Sequence, residues 1–439
     1  MRKIRQLRQD MPLTTAGIAL AGLCIILMII PAKSYASVPD TVSLTLQEAE
    51  KIFLQKNLLL LSQKYNVAAA EAQILQARLW NNPTFSFTQG VYNPETGKYF
   101  QTGSTAGEEA IELQQLFLLA GKRNKQINMA KTNYRLAEDQ LYDLLRTLKY
   151  TLRTDFYNIY FLQQSAKVYQ QEISSLQTVV AAFKIQSANG NIAETEVVRI
   201  QAQLYSLQNE YLGLQNQIND LQHDMQILLQ IKSSYLLPQV DTQALTALNP
   251  LQYPVSALLD SAYQNRTDLM LARDNLMLSR QNYGYQKALA VPDITLGIGY
   301  DKNGSYVHNF NSAGISFDIP VFNRNQGNIR SAKNMMDYNN LQTESIRETV
   351  TADVSRALQR AEDANRLYRS VNPDFSLTFE RLAKQMLINY KKRNISLLEF
   401  LDFYDAYKNN VVQLNTVRYN RISALEEINF VTGTNFFDQ

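Results

Sequence analysis

The sequence predicts a mainly α-helical protein with a small β part, built from two copies of one helix–strand–strand–helix–helix unit. The first observation is the stretch Lys122–Lys232, which is 111 residues long and contains no proline. Its apolar residues recur at spacings of three and four, which is typical of an α-helix with a coiled-coil seam. The second observation is that the same order of patterns returns about 200 residues later, which indicates a duplication rather than a solenoid. The third is a pair of short alternating segments before each long helix, which predicts strands.

The N-terminal residues have the pattern of a secretory signal peptide, residues 1–36. A basic start is followed by an apolar run over Ala16–Ile30 and by a small-residue cleavage site that ends at Ala36. An uncleaved membrane anchor is the alternative, but the apolar run is short for a span of about 20 residues. The only cysteine, Cys24, lies in this segment and follows Leu23, so we expect neither a lipid anchor nor a disulfide.

The charge balance and the hydropathy of the rest of the chain exclude two classes of protein. Removing residues 1–36 leaves 38 Lys and Arg against 39 Asp and Glu, which is close to neutral. Nucleic acid is therefore not an expected partner. No later apolar run approaches the length of a transmembrane helix, so a structure that spans a membrane would have to be a β-barrel.

The first repeat is predicted to cover residues 37–237. A leading helix is expected to run to about Leu79, and strands are expected around Phe85–Thr88 and Ile111–Gln114. A helical hairpin follows, and its first arm, Lys122–Ala188, has 67 residues. An arm of that length spans roughly 100 Å at about 1.5 Å per residue. Asn189-Gly190-Asn191 tolerates a left-handed backbone, so the helix can reverse there and return over Ile192–Ile231.

The second repeat is predicted to cover residues 255–439, after a proline-containing linker at residues 238–254. A leading helix is expected over Val255–Ala290, and two strands are expected over Ile294–Gly299 and Ile315–Ile319, separated by a loop at Asp301–Asn311. A long helix is expected to follow over Asn328–Lys391. Pro373 falls inside the long helix, where it would cause a kink or occupy a first-turn position. Arg393 stands where the first turn has Gly190, so the second turn is expected to be tighter or stiffer.

The strands have one apolar face and one polar face. Glu112, Gln114 and Asp318 belong to the polar face and are expected to line water. The alternative is the edge of a soluble sandwich. Four strands cannot close a barrel, and open edges in lipid leave backbone groups unpaired, so we expect three chains to share one barrel of twelve strands. The leading and return helices together match the long arm in length, which predicts a wall of helices below the strands.

At this point the residues resemble the TolC family of bacterial outer-membrane efflux channels. The resemblance covers nearly all of the chain after residue 43, and it is carried by the duplicated layout and by two motifs, Trp80-Asn81-Asn82-Pro83 and the run from Asp318 to Gly327. The second motif is most similar to the heavy-metal cation efflux members, which are CzcC- and CusC-like. The resemblance implies a homotrimer with one shared twelve-stranded barrel and a periplasmic α-helical tube. It also implies a periplasmic adaptor protein and an inner-membrane pump of the resistance-nodulation-division (RND) type.

Acidic residues and exposed turns are the candidate functional sites. Glu399, Asp402 and Asp405 recur every three residues, roughly on one helical face, and in a trimer they would form stacked rings. In the family such rings narrow the aperture and select cations; Glu194 and Glu196 are further candidates, and a solvated helix face is the alternative. The candidate adaptor contacts are the two turns, whose apolar residues would otherwise be exposed without a reason: Asn191, Ile192, Ala193, Asn394, Ile395 and Ser396.

No constellation in the sequence indicates catalysis or a resident cofactor. The two histidines, His223 and His308, lie 85 residues apart. A solvated helix position is the expectation for His223 and an external loop for His308. No spacing of His, Cys, Asp and Glu resembles a zinc site, so we expect no enzyme, no cofactor and no metal centre.

The favoured function is therefore a passive conduit in the outer membrane with a large periplasmic portion, which carries heavy-metal cations or small toxic compounds. A channel of a protein (type I) secretion system is an alternative with the same architecture. A non-transporting periplasmic coiled-coil adaptor is the alternative from another class. An adaptor would carry one hairpin with flanking β domains and would lack two strand pairs of bilayer length.

Overall fold

The computed structural model describes residues 40–103, 106–232, 234–304 and 307–438. The predicted signal peptide lies outside these residues. The first repeat contains, in chain order, β1 (Asp40–Thr45), α1 (Leu46–Lys56), α2 (Leu58–Arg78), β2 (Thr84–Gln89), β3 (Tyr92–Asn93), β4 (Lys98–Tyr99), β5 (Glu109–Phe117), α3 (Lys122–Ala188) and α4 (Glu194–Leu229).

The second repeat begins after a short ordered connection. The connection contains β6 (Ser234–Gln239), α5 (Thr242–Ala247) and a 3₁₀ turn (Pro250–Gln252), so most of the predicted linker has secondary structure. The repeat itself contains α6 (Val255–Asn265), α7 (Thr267–Leu289), β7 (Ile294–Gly304), β8 (Val307–Ser316), α8 (Gln326–Ser370), α9 (Pro373–Lys391) and α10 (Leu397–Thr432).

Each leading helix is interrupted after its first 11 residues, which the sequence analysis did not predict. In the first repeat the break is at Asn57, whose side chain accepts from the N–H of Leu60 and donates to the carbonyl of Leu228 on α4. In the second repeat the break is at Arg266, whose guanidinium is ion-paired with Asp268 and Asp353. Both residues are buried, so the bend is fixed by tertiary contacts as well as by local sequence.

The long arms agree with the prediction in the first repeat and differ in the second. Helix α3 runs without interruption over Lys122–Ala188. The predicted continuous helix of the second repeat is wrong, since it ends at Ser370 and a new helix, α9, begins at Pro373. Proline has no N–H to donate, so it suits the first position of a helix and not the interior. Of the two predicted roles for Pro373, the first-turn position is confirmed.

The strands form a four-stranded antiparallel sheet in the order β2-β5-β7-β8. Strands β5 and β7 join the two repeats, from Phe117 opposite Ile294 to Ala110 opposite Asp301. The predicted loop Asp301–Asn311 is wrong, because β7 and β8 remain paired as far as Gly304 opposite Val307. Strand β8 ends at Ser316, the partner of Thr295, so Asp318 lies beyond the sheet.

The helices pack side by side as the length argument predicted. Helix α3 contacts α2 and α4 in its own repeat and α7 and α10 in the other. The larger apolar core surrounds the parallel pair β1–β6 and includes Phe53, Phe156 and Leu258. A smaller core lies toward the helical turns and includes Leu176, Ile200 and Phe400. Within the described part of the chain, no helix combines the length and the apolar character needed to cross a membrane.

Candidate functional site

The two helical turns have the same backbone geometry although their sequences differ. At the end of α3 the N–H of Gly190 donates to the carbonyl of Ser187, and that of Asn191 donates to the carbonyl of Gln186, each at 2.9 Å. At the end of α9 Arg393 and Asn394 repeat both bonds, again at 2.9 Å. This pattern is the Schellman motif, which places a left-handed residue directly after the helix. Gly190 has φ +72° and Arg393 has φ +62°.

The helices that leave the turns begin differently. Ser396 caps α10: its hydroxyl accepts from the N–H of Glu399, and the carboxylate of Glu399 accepts from the N–H of Ser396 at 2.8 Å. The hydrogen bond from the Ser396 backbone, together with that from its hydroxyl, lowers the pKa of Glu399. Helix α4 has Ala193 at the equivalent position, with no side-chain cap. Glu196 occupies the position of Glu399 but has no hydroxyl to complete the capping box.

Both turns line one groove of about 520 Å³. Ile192 and Ile395 lie in its wall and are half-buried, so the expectation that they are exposed was wrong. Ile395 packs against the smaller apolar core. The exposed apolar residues near the turns are instead Ile185, Val198 and Leu398, which the sequence analysis missed. The groove is therefore lined by a mixture of apolar side chains and polar ones, and the charged residues among them are Glu196, Lys391 and Arg393.

The predicted acidic residues occupy different environments. Glu194, Glu196 and Asp402 are exposed, and Glu399 is engaged in the helix cap. Asp405 is half-buried and lies 2.9 Å from the ammonium of Lys408, one turn later on α10. Asp402 thus differs from the other two acidic residues of the predicted series on α10. It is exposed, and its carboxylate contacts neither a cation nor a helix cap among the described residues. The Lys408 ion pair was not predicted.

Two of the three residues predicted for the polar face of the sheet, Glu112 and Gln114, lie on β5, whereas the third, Asp318, lies beyond the end of β8. Gln114 donates to the carboxylate of Glu112 at 2.7 Å, and both lie opposite glycines of β7, Gly299 and Gly297. A β-carbon on Gly299 would stand 2.8 Å from the hydroxyl of Ser312, so any larger residue there would force the Ser312 side chain to move. The opposite face is apolar and exposed on all four strands: Phe85, Phe87, Ile111, Leu113, Leu296, Ile298 and Ile315.

The histidines lie apart from these features. His308 is in β8, so the prediction of a loop position was wrong; its ring Nδ1 lies 3.1 Å from the side-chain oxygen of Asn303. His223 is exposed on α4. In the described residues, no three His, Cys, Asp or Glu side chains are grouped as metal ligands would be.

Solved structures with the same fold are outer-membrane channels. A crystal structure of CusC has a TM-score of 0.70 at 17% identity and covers 89% of this chain and 92% of that chain. The CmeC outer membrane channel of Campylobacter jejuni has a TM-score of 0.72 at 16% identity, over 88% of this chain and 85% of that chain. At these identities the similarity establishes the fold alone.

Sequence comparison leads to the same group of proteins. The cobalt-zinc-cadmium resistance protein CzcC of Cupriavidus metallidurans is 23% identical over 296 residues, which is 67% of each chain. The outer membrane protein TolC of Escherichia coli is 27% identical over 236 residues, which is 50% of this chain and 44% of TolC. The profile of the family described as outer membrane efflux protein matches residues 51–228 and 258–434, one segment in each repeat. The chain therefore belongs to the outer membrane efflux protein family.

Proposed function

We propose that the protein is a passive trimeric channel that leads from the periplasm through the outer membrane. The observation that carries this proposal is the four-stranded sheet, which ends in two unpaired edge strands, β2 and β8. Unpaired edges and a continuous exposed apolar face are unstable in isolation. Three copies that pair β8 of one chain with β2 of the next would close a twelve-stranded barrel with lipid outside and Glu112 and Gln114 inside.

The helical turns supply the proposed contact with a periplasmic adaptor protein of a tripartite pump, whose inner-membrane component is of the RND type. The first turn carries exposed Glu194 and Glu196, and the second carries exposed Lys391, Lys392 and Arg393. Charges of opposite sign therefore alternate around the mouth of a trimer, beside the groove that holds Ile192 and Ile395. A partner with apolar tips and mixed charge would match this surface.

The proposed cargo is heavy-metal cations or small toxic compounds. The relatives described as resistance proteins for cobalt, zinc and cadmium, and for nickel, cobalt and cadmium, support this choice. An exposed ring of Asp402 side chains would favour cations at the aperture. The second candidate is a channel of a protein secretion system, which the same architecture would serve. No described group resembles a catalytic site, so we propose no enzymatic reaction.

The channel is tested with full-length protein extracted from outer membranes in detergent. We expect the mass of a trimer by light scattering and discrete conductance steps in planar bilayers. Leu113→Lys, on the apolar face, should lower the yield of inserted trimer, since a lysine facing lipid costs about 2–4 kcal/mol at the bilayer midplane. Gln114→Lys, the next residue on the polar face, is the matched control and should insert normally. A monomer without conductance, or equal yields of the two variants, would contradict the proposal.

The aperture and the cargo need separate measurements. Asp402→Asn should reduce the preference of the channel for cations in salt gradients, and an unchanged reversal potential would reject its role. To test the cargo, the growth of a strain that lacks the gene is measured in the presence of cobalt, zinc and cadmium. It is compared with the growth of the parent strain and of the deletion strain in which the gene has been restored. Lost tolerance in the deletion strain supports metal efflux, whereas normal tolerance with a missing secreted protein supports the second candidate.

A further inference from the structure

Lys408 joins three helices at a point well removed from the turns. Its ammonium Nζ lies 2.7 Å from Oε2 of Glu210 on α4 and 2.9 Å from Oδ1 of Asp405 on α10. The same Nζ lies 5.7 Å from the ring centroid of Tyr169 on α3, and the Tyr169 hydroxyl donates to Glu210 at 3.2 Å. The side chain of Lys408 is only 3% exposed, so these contacts are the environment of its charge.

Glu172 of α3 belongs to the same cluster, and the hydrogen bonding of its carboxyl group is incomplete. It is 2% exposed, and its Oε1 has no hydrogen-bond partner among the described residues. Burial raises the pKa of its carboxyl to about 8; Lys408 lowers that pKa, while Asp405 and Glu210 raise it further. A carboxyl with this pKa is mostly protonated at neutral pH and carries no charge.

The tyrosines and the lysine of the cluster do not ionise near pH 8. Tyr404 and Tyr407 of α10 lie nearby, and burial raises the pKa of both hydroxyls, that of Tyr404 to about 12. The charge of Glu380 on α9 also raises the pKa of Tyr407. Burial lowers the pKa of Lys408, but its bonds to Glu210 and Asp405 outweigh burial, so it stays charged. Glu172 is thus a buried carboxyl whose charge changes near pH 8 while the neighbouring tyrosines stay neutral and Lys408 stays charged.

The cluster lies behind the turns along the helices. Glu172 precedes Gly190 by 18 residues. At about 1.5 Å per residue this distance is roughly 27 Å. The apolar core between them contains Tyr390, Phe400 and Tyr404, stacked at centroid distances of 4.5 and 5.0 Å. A change at the cluster would therefore reach the turns through a continuous aromatic stack.

We propose that Lys408, Glu172, Glu210 and Asp405 form a proton-sensitive latch that holds α10 against the α3–α4 hairpin, and that loss of the Glu172 proton releases it. The proposal rests on the proposed channel function, because the latch would control how easily the helices at the mouth separate. With Glu172 neutral, two carboxylates share one ammonium. With Glu172 ionised, a third negative charge is buried in the cluster, and its Oε1 has no hydrogen-bond donor among the described residues.

The direction of the pH effect follows from the raised pKa. A carboxyl whose pKa is higher in the closed arrangement than in the open one stabilises the closed arrangement fully at low pH. That contribution declines as pH rises above the ordinary value of 4.5 and is lost as pH passes through about 8. The latch is therefore closed in acid and weakest in alkali.

Three variants of the full-length protein separate the latch from other effects. Glu172→Gln keeps the neutral form at every pH, and Lys408→Met removes the cation. Arg366→Met is the matched control, because it removes a cation from an exposed ion pair on α8 with Asp363, where the arginine side chain is 76% exposed. Exposed pairs contribute little, so this control should behave as the unaltered protein does.

Two measurements report on the latch, one of which does not depend on conductance. Spin labels on Asn209→Cys in α4 and Ala406→Cys in α10 give the distance between the two helices, and planar bilayers give conductance. Between pH 6 and pH 9 the unaltered protein should show a longer or broader distance and a several-fold higher open probability. Glu172→Gln should keep the pH 6 behaviour throughout, and Lys408→Met should show the pH 9 behaviour throughout.

The outcomes distinguish the latch from the channel. If Glu172→Gln follows the unaltered protein through the pH series, or if Lys408→Met matches Arg366→Met, the latch is wrong even when the channel conducts. If the distances change as expected but no variant conducts, the latch stands and the channel function fails. Should Lys408→Met not fold, Glu172→Gln still decides, because it removes a charge that is already absent at pH 6.

Discussion

The two helical turns reach one geometry from opposite local sequences. The first turn ends α3 with Gly190, which takes a left-handed backbone without strain, but starts α4 at Ala193 without a side-chain cap. The second turn ends α9 with Arg393 in the same left-handed region and starts α10 with a complete Ser396–Glu399 capping box. Each turn thus has one favourable residue and one unfavourable residue, at opposite positions.

The difference shows that the turn geometry is imposed by the packed helices rather than by either residue alone. A left-handed backbone costs a residue with a β-carbon about 1–2 kcal/mol. Arg393 offsets part of this cost because its positive charge lies at the negative end of the α9 dipole. A residue that is unfavourable locally can persist where the surrounding helices fix the backbone. Either turn should therefore become more stable when its unfavourable residue is replaced by the type that favours the same position in the other turn.

Gly190→Ala should have the largest effect. The backbone must stay left-handed for the hairpin to close, so the alanine should destabilise the end of α3 by about 1–2 kcal/mol. A β-carbon there meets no atom within 4 Å, so the effect contains no steric clash. Hydrogen exchange of the amides that close the turn, those of Gly190 and Asn191, measures it. Unchanged exchange would mean that the turn does not need glycine.

Arg393→Asn should have the opposite sign, because asparagine tolerates the left-handed region. We expect slower exchange at the end of α9, equivalent to a gain of about 1 kcal/mol. Arg393→Lys is the control, since it keeps both the charge and the strain and should leave exchange unchanged. If both variants weaken the turn, the guanidinium itself stabilises the end of α9 and the strain argument fails.

How far the sequence predicts these features depends on how local their causes are. The bounds of α3 follow from the absence of proline and from Gly190, which act within one turn of helix. The breaks at Asn57 and Arg266 depend on Leu228 and Asp353, which are distant in sequence. The alternation of apolar residues at Ile315 and Phe317 predicts a strand that extends beyond the observed end of β8. Alternation alone does not show where pairing with the neighbouring strand stops. The Lys408 ion pair with Glu210 joins residues 198 positions apart, so spacing alone could not assemble the cluster.

Ser396→Ala should destabilise the start of α10 by about 1 kcal/mol, the usual contribution of a serine cap. The backbone N–H of residue 396 remains in this variant, but the hydroxyl, the second of the two donors that lower the pKa of Glu399, is lost. A lowered carboxyl pKa stabilises the capped helix above pH 4.5, and this contribution is lost as pH falls through the folded-state pKa. Exchange at the start of α10 should therefore accelerate below pH 4.5 beyond its intrinsic pH dependence, and Ser396→Ala should show a smaller acceleration because only the backbone N–H still donates to Glu399.

Ala193→Ser is the smallest change and the most direct comparison of the turns. Glu196 already occupies the third position of α4, so one hydroxyl would complete a capping box like that of Ser396 and Glu399. We expect a gain of about 0.5–1 kcal/mol, seen as slower exchange at the start of α4. In Ala193→Ser with Glu196→Ala the gain should shrink, because the carboxylate half of the box is missing. If the single variant shows no gain, the packing around the first turn, rather than its missing cap, limits the stability of α4.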